Sequence, residues 1–489
     1  MTSPAVPVPG RAVAPPVDPF ARVWPERHLA PRLAVVAAAL AVGLLAAVVL
    51  PERTHGLGTA LVVLAVGTTA FVLAPRRRHV VASFALAVPL ASMFVWRDAV
   101  WIDVLCLLAA GALGCVALVD ARTVPAVVAS FVAPPLAGLR GLPWLSRTLR
   151  GAGRLGAIWP VLRTVVVSVV LVAVFGALFA SAEPVFARWA DAVVPDITVD
   201  TLGARLVTLC FVGGLTLAAS YVAINPPPVD RLTTGAPAPV KRSWEWLVPV
   251  GLVVALYVGF VAAQATVMFG GHAYLQRTTG LTYAEHVHQG FGQLTVATLL
   301  TLGVVAAAAR KAPRTSARDR LVLRIALGVL CALTLVVVAS ALYRMHVYEQ
   351  AYGFTVLRVL VSVFEGWLGL VVVLVVVAGI RLDGWWLPRA AVLTGAAALL
   401  ALATANPEGY VAERNVERFV ETGKADWYYL AGLSADAVPA LRLLPAEAQP
   451  CVFSGVGPGG EADDVLEWNL GRTRAGDVVL GVGGGCTSD

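Results

Sequence analysis

Long apolar runs separated by short polar connections set the pattern of this chain. A helix needs about 20 apolar residues to cross a hydrocarbon core. Runs of that order fall at 33–50, 57–74, 80–96, 99–119, 160–181, 201–224, 245–269, 286–309, 321–343, 356–380 and 387–405. They predict an all-α integral membrane helical bundle of about eleven transmembrane helices, the transmembrane domain running from 33 to 405. A shorter apolar run, Val124 to Leu139, is broken by Pro125, Pro134 and Pro135. With Trp144 and the arginines up to Arg154 it reads as an interfacial segment (121–158) rather than a span. Residues 1–32 are Pro-rich and weakly charged, the signature of a disordered arm. They lack the layout of a secretory signal. After the last run, Asn406-Pro407-Glu408 combines a capping residue, a proline suited to the first helical position and an acid at the positive helix end. A helix is expected to about Glu421, then two short ones over Asp426–Leu433 and Ser434–Leu444. The tail beyond Phe453 is Gly-rich, with an acidic patch from Glu461 to Glu467. Only partial order is expected there.

Composition agrees with a membrane class. Of 489 residues 58% are hydrophobic and 14% charged, and the mean hydropathy is +0.79; soluble domains carry about a quarter charged residues. The basic residues fix an orientation. Arg76, Arg77 and Arg78, the arginines from Arg122 to Arg154, Arg231 with Lys241 and Arg242, the group from Arg310 to Arg320, and Arg381 with Arg389 all fall on every second connection. The alternate connections hold single arginines such as Arg53, Arg97 and Arg188. The positive-inside bias then puts the N-terminus in the cytoplasm and segment 406–489 outside. The net charge of +7 is thereby explained by topology and anionic lipids of the inner leaflet, with no nucleic-acid partner.

Candidate chemistry sits on the outer side. Tyr343 to Arg358, a polar and aromatic stretch, is read as the connection between two spans, beside a second stretch from Tyr283 to Gln293. Ionisable groups inside spans are costly and mark functional sites or packing networks. Arg358, Ser362 and Glu365 share one helix face, with Glu365 roughly 15 Å deep. Tyr343, Arg344, Glu349 and Tyr352, together with Tyr283, Glu285 and Asp103, complete an outward polar site with Arg358 as the expected cation near Glu365. A structural polar network that fixes helix packing is the alternative. His286, His288 and His346, with Glu285 or Glu349, have the ligand types for zinc. On a helix the rings of His286 and His288 point about 200° apart, however, and rings at helix ends also belong at a membrane interface. Cys106, Cys115, Cys210 and Cys331 lie in apolar runs as small hydrophobes. Cys451 and Cys486 form the one pair outside them, suited to a disulfide in an oxidising compartment. The chain has no P-loop, no Gly-x-Ser-x-Gly element and no dinucleotide fingerprint around Gly481–Gly485. ATP-driven transport within the chain is thereby disfavoured.

Several ordered motifs resemble a known group. They are Tyr343-Arg344 through Glu349, Ala351-Tyr352-Gly353-Phe354-Thr355-Val356-Leu357-Arg358, and Tyr283-Ala284-Glu285 followed by Gly290-Phe291. Asn406-Pro407 leading to Arg414-Asn415-Val416 and the run Ser434–Leu441 continue the series. Over roughly 160–445 the chain resembles the bacterial polytopic membrane proteins of the domain of unknown function 4153/4173. The resemblance implies a multi-pass protein of the bacterial inner membrane and transfers no catalytic role; the three histidines lie outside its pattern. The expectation is a permease-like or sensor-like envelope protein, without ATP and without a required cofactor. The alternatives are a membrane enzyme acting at the outer leaflet on a lipid-linked or envelope substrate, and a scaffold that binds a partner through its C-terminal helices.

Overall fold

The computed structural model describes residues 24–26, 29–151, 200–230, 242–279, 291–453 and 463–476, with isolated positions at 20, 240 and between 164 and 185. Every regular element among the described residues is helical. The apolar runs become α1 (Leu33–Val49), α2 (Leu57–Leu73), α3 (Arg78–Ala91) continued by the short α4 (Met93–Trp96), and α5 (Val100–Val119). After α6 (Val124–Ser130), α7 (Ala133–Arg140) and α8 (Leu142–Arg150) come α9 (Asp200–Ile224), α10 (Trp244–Thr279), α11 (Phe291–Lys311), α12 (Ala317–Tyr352), α13 (Val356–Arg381) and α14 (Leu387–Thr404). Eight of the described helices are long and apolar enough to cross a membrane, and α1 and α2 are shorter apolar helices beside them. The chain is a multi-pass membrane protein. The run at 160–181 lies largely outside the described residues.

Two boundaries differ from expectation. The polar stretch after Tyr343 is not a connection: α12 continues for 36 residues to Tyr352. Nothing in Tyr343–Tyr352 breaks a helix, and the first stop is Gly353 at φ +88°, a conformation that suits glycine. The proline-broken segment folds as α6, α7 and α8, of 7, 8 and 9 residues. At 1.5 Å per residue each is about 10–14 Å long, too short to span.

The helices have two distinct ends. The basic end holds the connections at 75–77, 120–123, 225–230, 312–316 and 382–386. There Asp120, in the left-handed region at φ 61°, closes α5. Its carboxylate accepts from Arg77 at 2.6 Å, from Arg122 at 3.0 Å and from Arg389. Arg389 also donates to the carbonyls of Ala121 and Asp120 at 2.9 and 3.0 Å, which the end of a helix leaves without partners. Trp24 is buried at this end, its indole donating to the Asn225 carbonyl at 2.9 Å. The buried Arg140 donates to the Trp24 carbonyl at 2.9 Å.

Close packing of the spans rests on small residues, as is usual where lipid gives no hydrophobic drive. A Cβ at Gly43 of α1 would stand 2.8 Å from the Leu209 carbonyl of α9. Large side chains such as Phe211, Leu252 and Leu256 are about two-thirds or more exposed along the spans, as lipid-facing positions are.

The opposite end is capped by the C-terminal residues. These form α15 (Pro407–Thr422), α16 (Trp427–Ala431), a 3₁₀ turn (Ala435–Ala437), α17 (Val438–Leu441), α18 (Gln449–Phe453) and α19 (Leu470–Gly476). As the sequence suggested, Asn406 caps α15 by accepting from the Gly409 amide at 3.1 Å, with Pro407 in the first turn. The cap has its own core of Val416, Leu430, Leu441, Val452 and Phe453. Part of the acidic stretch expected to be loosely ordered is engaged: Arg53 donates to Asp464 at 3.3 Å, and the Thr54 amide to Glu467 at 3.3 Å.

Candidate functional site

Three polar centres emerge at and below the capped end, and they divide the single outward site that the sequence suggested. The deepest is Glu365. It follows the start of α13 by nine residues, about 14 Å along the helix, and is fully buried. One carboxylate oxygen accepts from the Thr295 hydroxyl of α11 at 2.9 Å. Thr298 also approaches the carboxylate, while its own hydroxyl donates to the Leu294 carbonyl at 3.1 Å. The second oxygen, Oε1, has no hydrogen-bond partner among the described residues. Arg358 does not serve as its cation. That guanidinium donates to the Gly353 carbonyl in the turn before α13 and lies 4.4 Å from the centre of the Tyr348 ring. Ser362 is half-buried between them on the same helix face.

The second centre is the turn between α12 and α13. Glu349 is buried, and the positive charge of Arg358 acts on it. Tyr348 and Tyr352 stack with ring centroids 4.7 Å apart. Tyr343 and Tyr352 are half-exposed and Arg344 is half-buried. The turn itself is gripped from the cap. Asn415 of α15 donates to the Phe354 carbonyl at 2.8 Å and accepts from the Phe354 amide at 3.1 Å. A Cβ at Gly353 would stand 2.8 Å from the same Asn415 oxygen. The Tyr429 hydroxyl accepts from the Val356 amide at 2.7 Å, and Arg418 donates to the Ala351 carbonyl at 3.0 Å. His346 contacts Gln350 at 3.0 Å. Tyr283, Glu285, His286 and His288 lie outside the described residues. Among the described residues no group of three or more potential ligands gathers as a metal site would.

The third centre surrounds Asp103, and most of it escaped the sequence reading. Asp103 is 2% exposed at the start of α5, and neither carboxylate oxygen has a hydrogen-bond partner among the described residues. His55 Nε2 lies 3.4 Å from Asp103 and 3.6 Å from Asp98. Asp436 of the cap accepts from the amides of Asp98 and Ala99 at 2.7 and 3.1 Å, capping α5 from a distant segment. Burial pushes the Asp436 carboxyl above the ordinary Asp range, those two amides and Arg97 pulling part of the way back. Arg472 of α19 ties the centre together. It donates to Asp98 at 2.7 Å, to Asp463 at 2.9 Å, to the His55 carbonyl at 2.9 Å and to the Glu467 carbonyl. Burial works against its charge, but the Asp98 and Asp463 carboxylates outweigh it and hold the guanidinium above its usual value. Glu408 accepts from the Trp101 indole at 2.8 Å and the Ser434 amide at 2.6 Å.

These contacts show what the ordered motifs do. Gly353-Phe354, Asn415, Asn406-Pro407 and Ser434–Leu441 seat the cap on the turns at that end of the bundle. A family comparison matches residues 39–444 to the domain of unknown function DUF4153. The chain belongs to that family. The match begins well before residue 160, so it takes in α2 to α5 and most of α1 as well as the second half of the bundle. No curated protein and no solved structure matches the chain. Arg472 and Asp463 lie beyond the matched residues, and the cap centre is therefore completed by segments outside the family's domain. Cys451 is disulfide-bonded, whereas Cys486 lies outside the described residues. Cys106, Cys115, Cys210 and Cys331 are free.

Proposed function

We propose that this DUF4153 protein is a permease-like protein of the bacterial inner membrane, driven without ATP, in which Glu365 takes up and releases a proton or a small cation. The reading places the basic end in the cytoplasm and the cap outside, following the distribution of Arg and Lys. One observation carries it: a fully buried carboxyl in the middle of a spanning helix has a hydroxyl partner and no cationic one among the described residues. An uncompensated carboxylate in that setting is expensive. A packing network alone is served more cheaply by Gln, whereas exchange of a cation or proton needs the acid.

The Glu365→Gln variant tests this reading. Wild type is expected to show a carboxyl C=O infrared band that changes with pH and is absent from the variant. The variant is expected to insert at the wild-type level and fail to complement a deletion strain. Full complementation by Glu365→Gln would remove Glu365 from the working site.

A further inference from the structure

At the basic end, far along the spans from the cap, α11, α12, α13 and the start of α14 enclose a groove of about 600 Å³. Its walls are apolar, with Leu302 and Val305 from α11, Leu327 and Cys331 from α12, and Val371 and Val375 from α13. Ile380 on its rim is 64% exposed, so the groove opens sideways where lipid chains lie. The volume falls within the ordinary range of small-molecule pockets, about 300–1,000 Å³.

The mouth is cationic. Arg314 and Arg324 both line it. Arg314 is held in place by donating to the Leu382 carbonyl at 3.2 Å and the Ala309 carbonyl at 2.5 Å. Arg324 is exposed and forms no ion pair among the described residues. Arg310, Lys311, Arg318 and Arg320 are exposed on the same connection. Two acids oppose them. Asp383 lies at the mouth, and Asp319 is engaged in capping α12, accepting from the Ser316 amide at 3.0 Å. The balance remains strongly positive.

We infer that this groove binds one anionic phospholipid, an acyl chain lying along the apolar walls and the phosphate meeting Arg314 and Arg324. Basic pockets between spanning helices at the cytoplasmic face suit such headgroups. The apolar walls exclude a soluble anion as the main occupant, and the cationic mouth selects against a zwitterionic lipid.

Two substitutions separate the chain from the headgroup. Gly328 lines the groove and a Cβ there meets nothing within 4 Å, so Gly328→Phe is the substitution chosen to fill it. Arg324→Gln removes an exposed charge and leaves the walls intact. The full-length protein, purified in mild detergent, is equilibrated with vesicles of equal phosphatidylglycerol and phosphatidylcholine with matched chains. Retained lipid is then counted by native mass spectrometry, with a thermal melt to confirm folding.

Wild type is expected to keep one phosphatidylglycerol in several-fold preference to phosphatidylcholine. Arg324→Gln should reduce that preference about fivefold, as expected for one surface cation near an anionic headgroup. Gly328→Phe should lose the retained lipid. Excess inorganic phosphate should not displace it. Equal retention of the two lipids by wild type overturns the inference, as does retention of phosphatidylglycerol by folded Gly328→Phe. Displacement by phosphate would assign the mouth to a free anion instead. None of these readouts depends on Glu365, so this inference and the proposed function fail separately.

Discussion

Replacing Asn415 with Ala isolates the grip of the cap on the bundle. Asn415 is 8% exposed, and its amide makes both hydrogen bonds of the Phe354 backbone, at 2.8 and 3.1 Å. Phe354 is itself 9% exposed, so truncation leaves a buried N–H and a buried C=O without partners. Each such group costs about 1–3 kcal/mol, which puts the loss at about 2–6 kcal/mol for this contact. Tyr429 and Arg418 still hold the neighbouring residues, so the effect should be local. Hydrogen exchange of peptides covering 350–357 in the purified protein measures it. Exchange at Phe354 should accelerate by about one and a half to four orders of magnitude, at 1.4 kcal/mol per tenfold, with the spanning segments unchanged. Asn415→Asp provides the control. It preserves the shape but turns a donor into an acceptor facing the Phe354 and Val411 carbonyls. It should be at least as damaging as Ala. Wild-type protection at Phe354 in the Ala variant would refute the claim that this side chain seats the cap.

Two further outcomes are expected. At the basic end, burial pushes the Asp120 carboxyl up, but its bond to Arg122 and the charges of Arg389, Arg122 and His79 outweigh it and hold the group below its ordinary value of 3.8. A depressed carboxyl stabilises above its unfolded pKa and loses that contribution as pH falls through the folded one. Asp120→Asn should therefore lower the melting temperature at neutral pH, and the gap to wild type should close below about pH 4; a constant gap would contradict it. In the cap, we expect Cys451 to pair with Cys486, which non-reducing peptide mapping would detect as a linked pair lost in Cys451→Ser.

The apolar runs made most of the bundle legible, because length and hydropathy alone identify a spanning helix. Pro125, Pro134 and Pro135 likewise announced the break into α6, α7 and α8. Helix ends were less legible where polar residues continue a helix beyond the apolar run, as from Tyr343 to Tyr352, since only Gly353 stops it. Glu365 was legible as an acid within a long apolar run, but its hydroxyl partner was not. Arg358 shares its face by spacing, yet the turn carbonyl of Gly353 and the Tyr348 ring claim the guanidinium, and threonines on another helix take its place. Spacing along one helix says nothing about hydroxyls on α11. The Asp103 centre was the least legible. Its partners His55, Asp98, Asp436 and Arg472 are scattered over segments far apart in the chain, and none stands out in a local window; only Asp436 lay within a motif that the sequence marked.

That scatter sets an order of assembly. The bonds from Arg472 to Asp98 and to the His55 carbonyl join residues 374 and 417 positions apart. At roughly 5–20 residues per second of synthesis, the early loops wait on the order of 20–80 s for their partners. During that interval Asp98 and Asp103 lack the arginine that later ties their centre together, and the first turn of α5 lacks its distant cap. A chain cut short by a nonsense mutation or a stalled ribosome would already contain nearly every membrane helix and still expose that acidic pair. Closure of the surface around Asp103 thus waits on Arg472, long after the helices beneath it have been made.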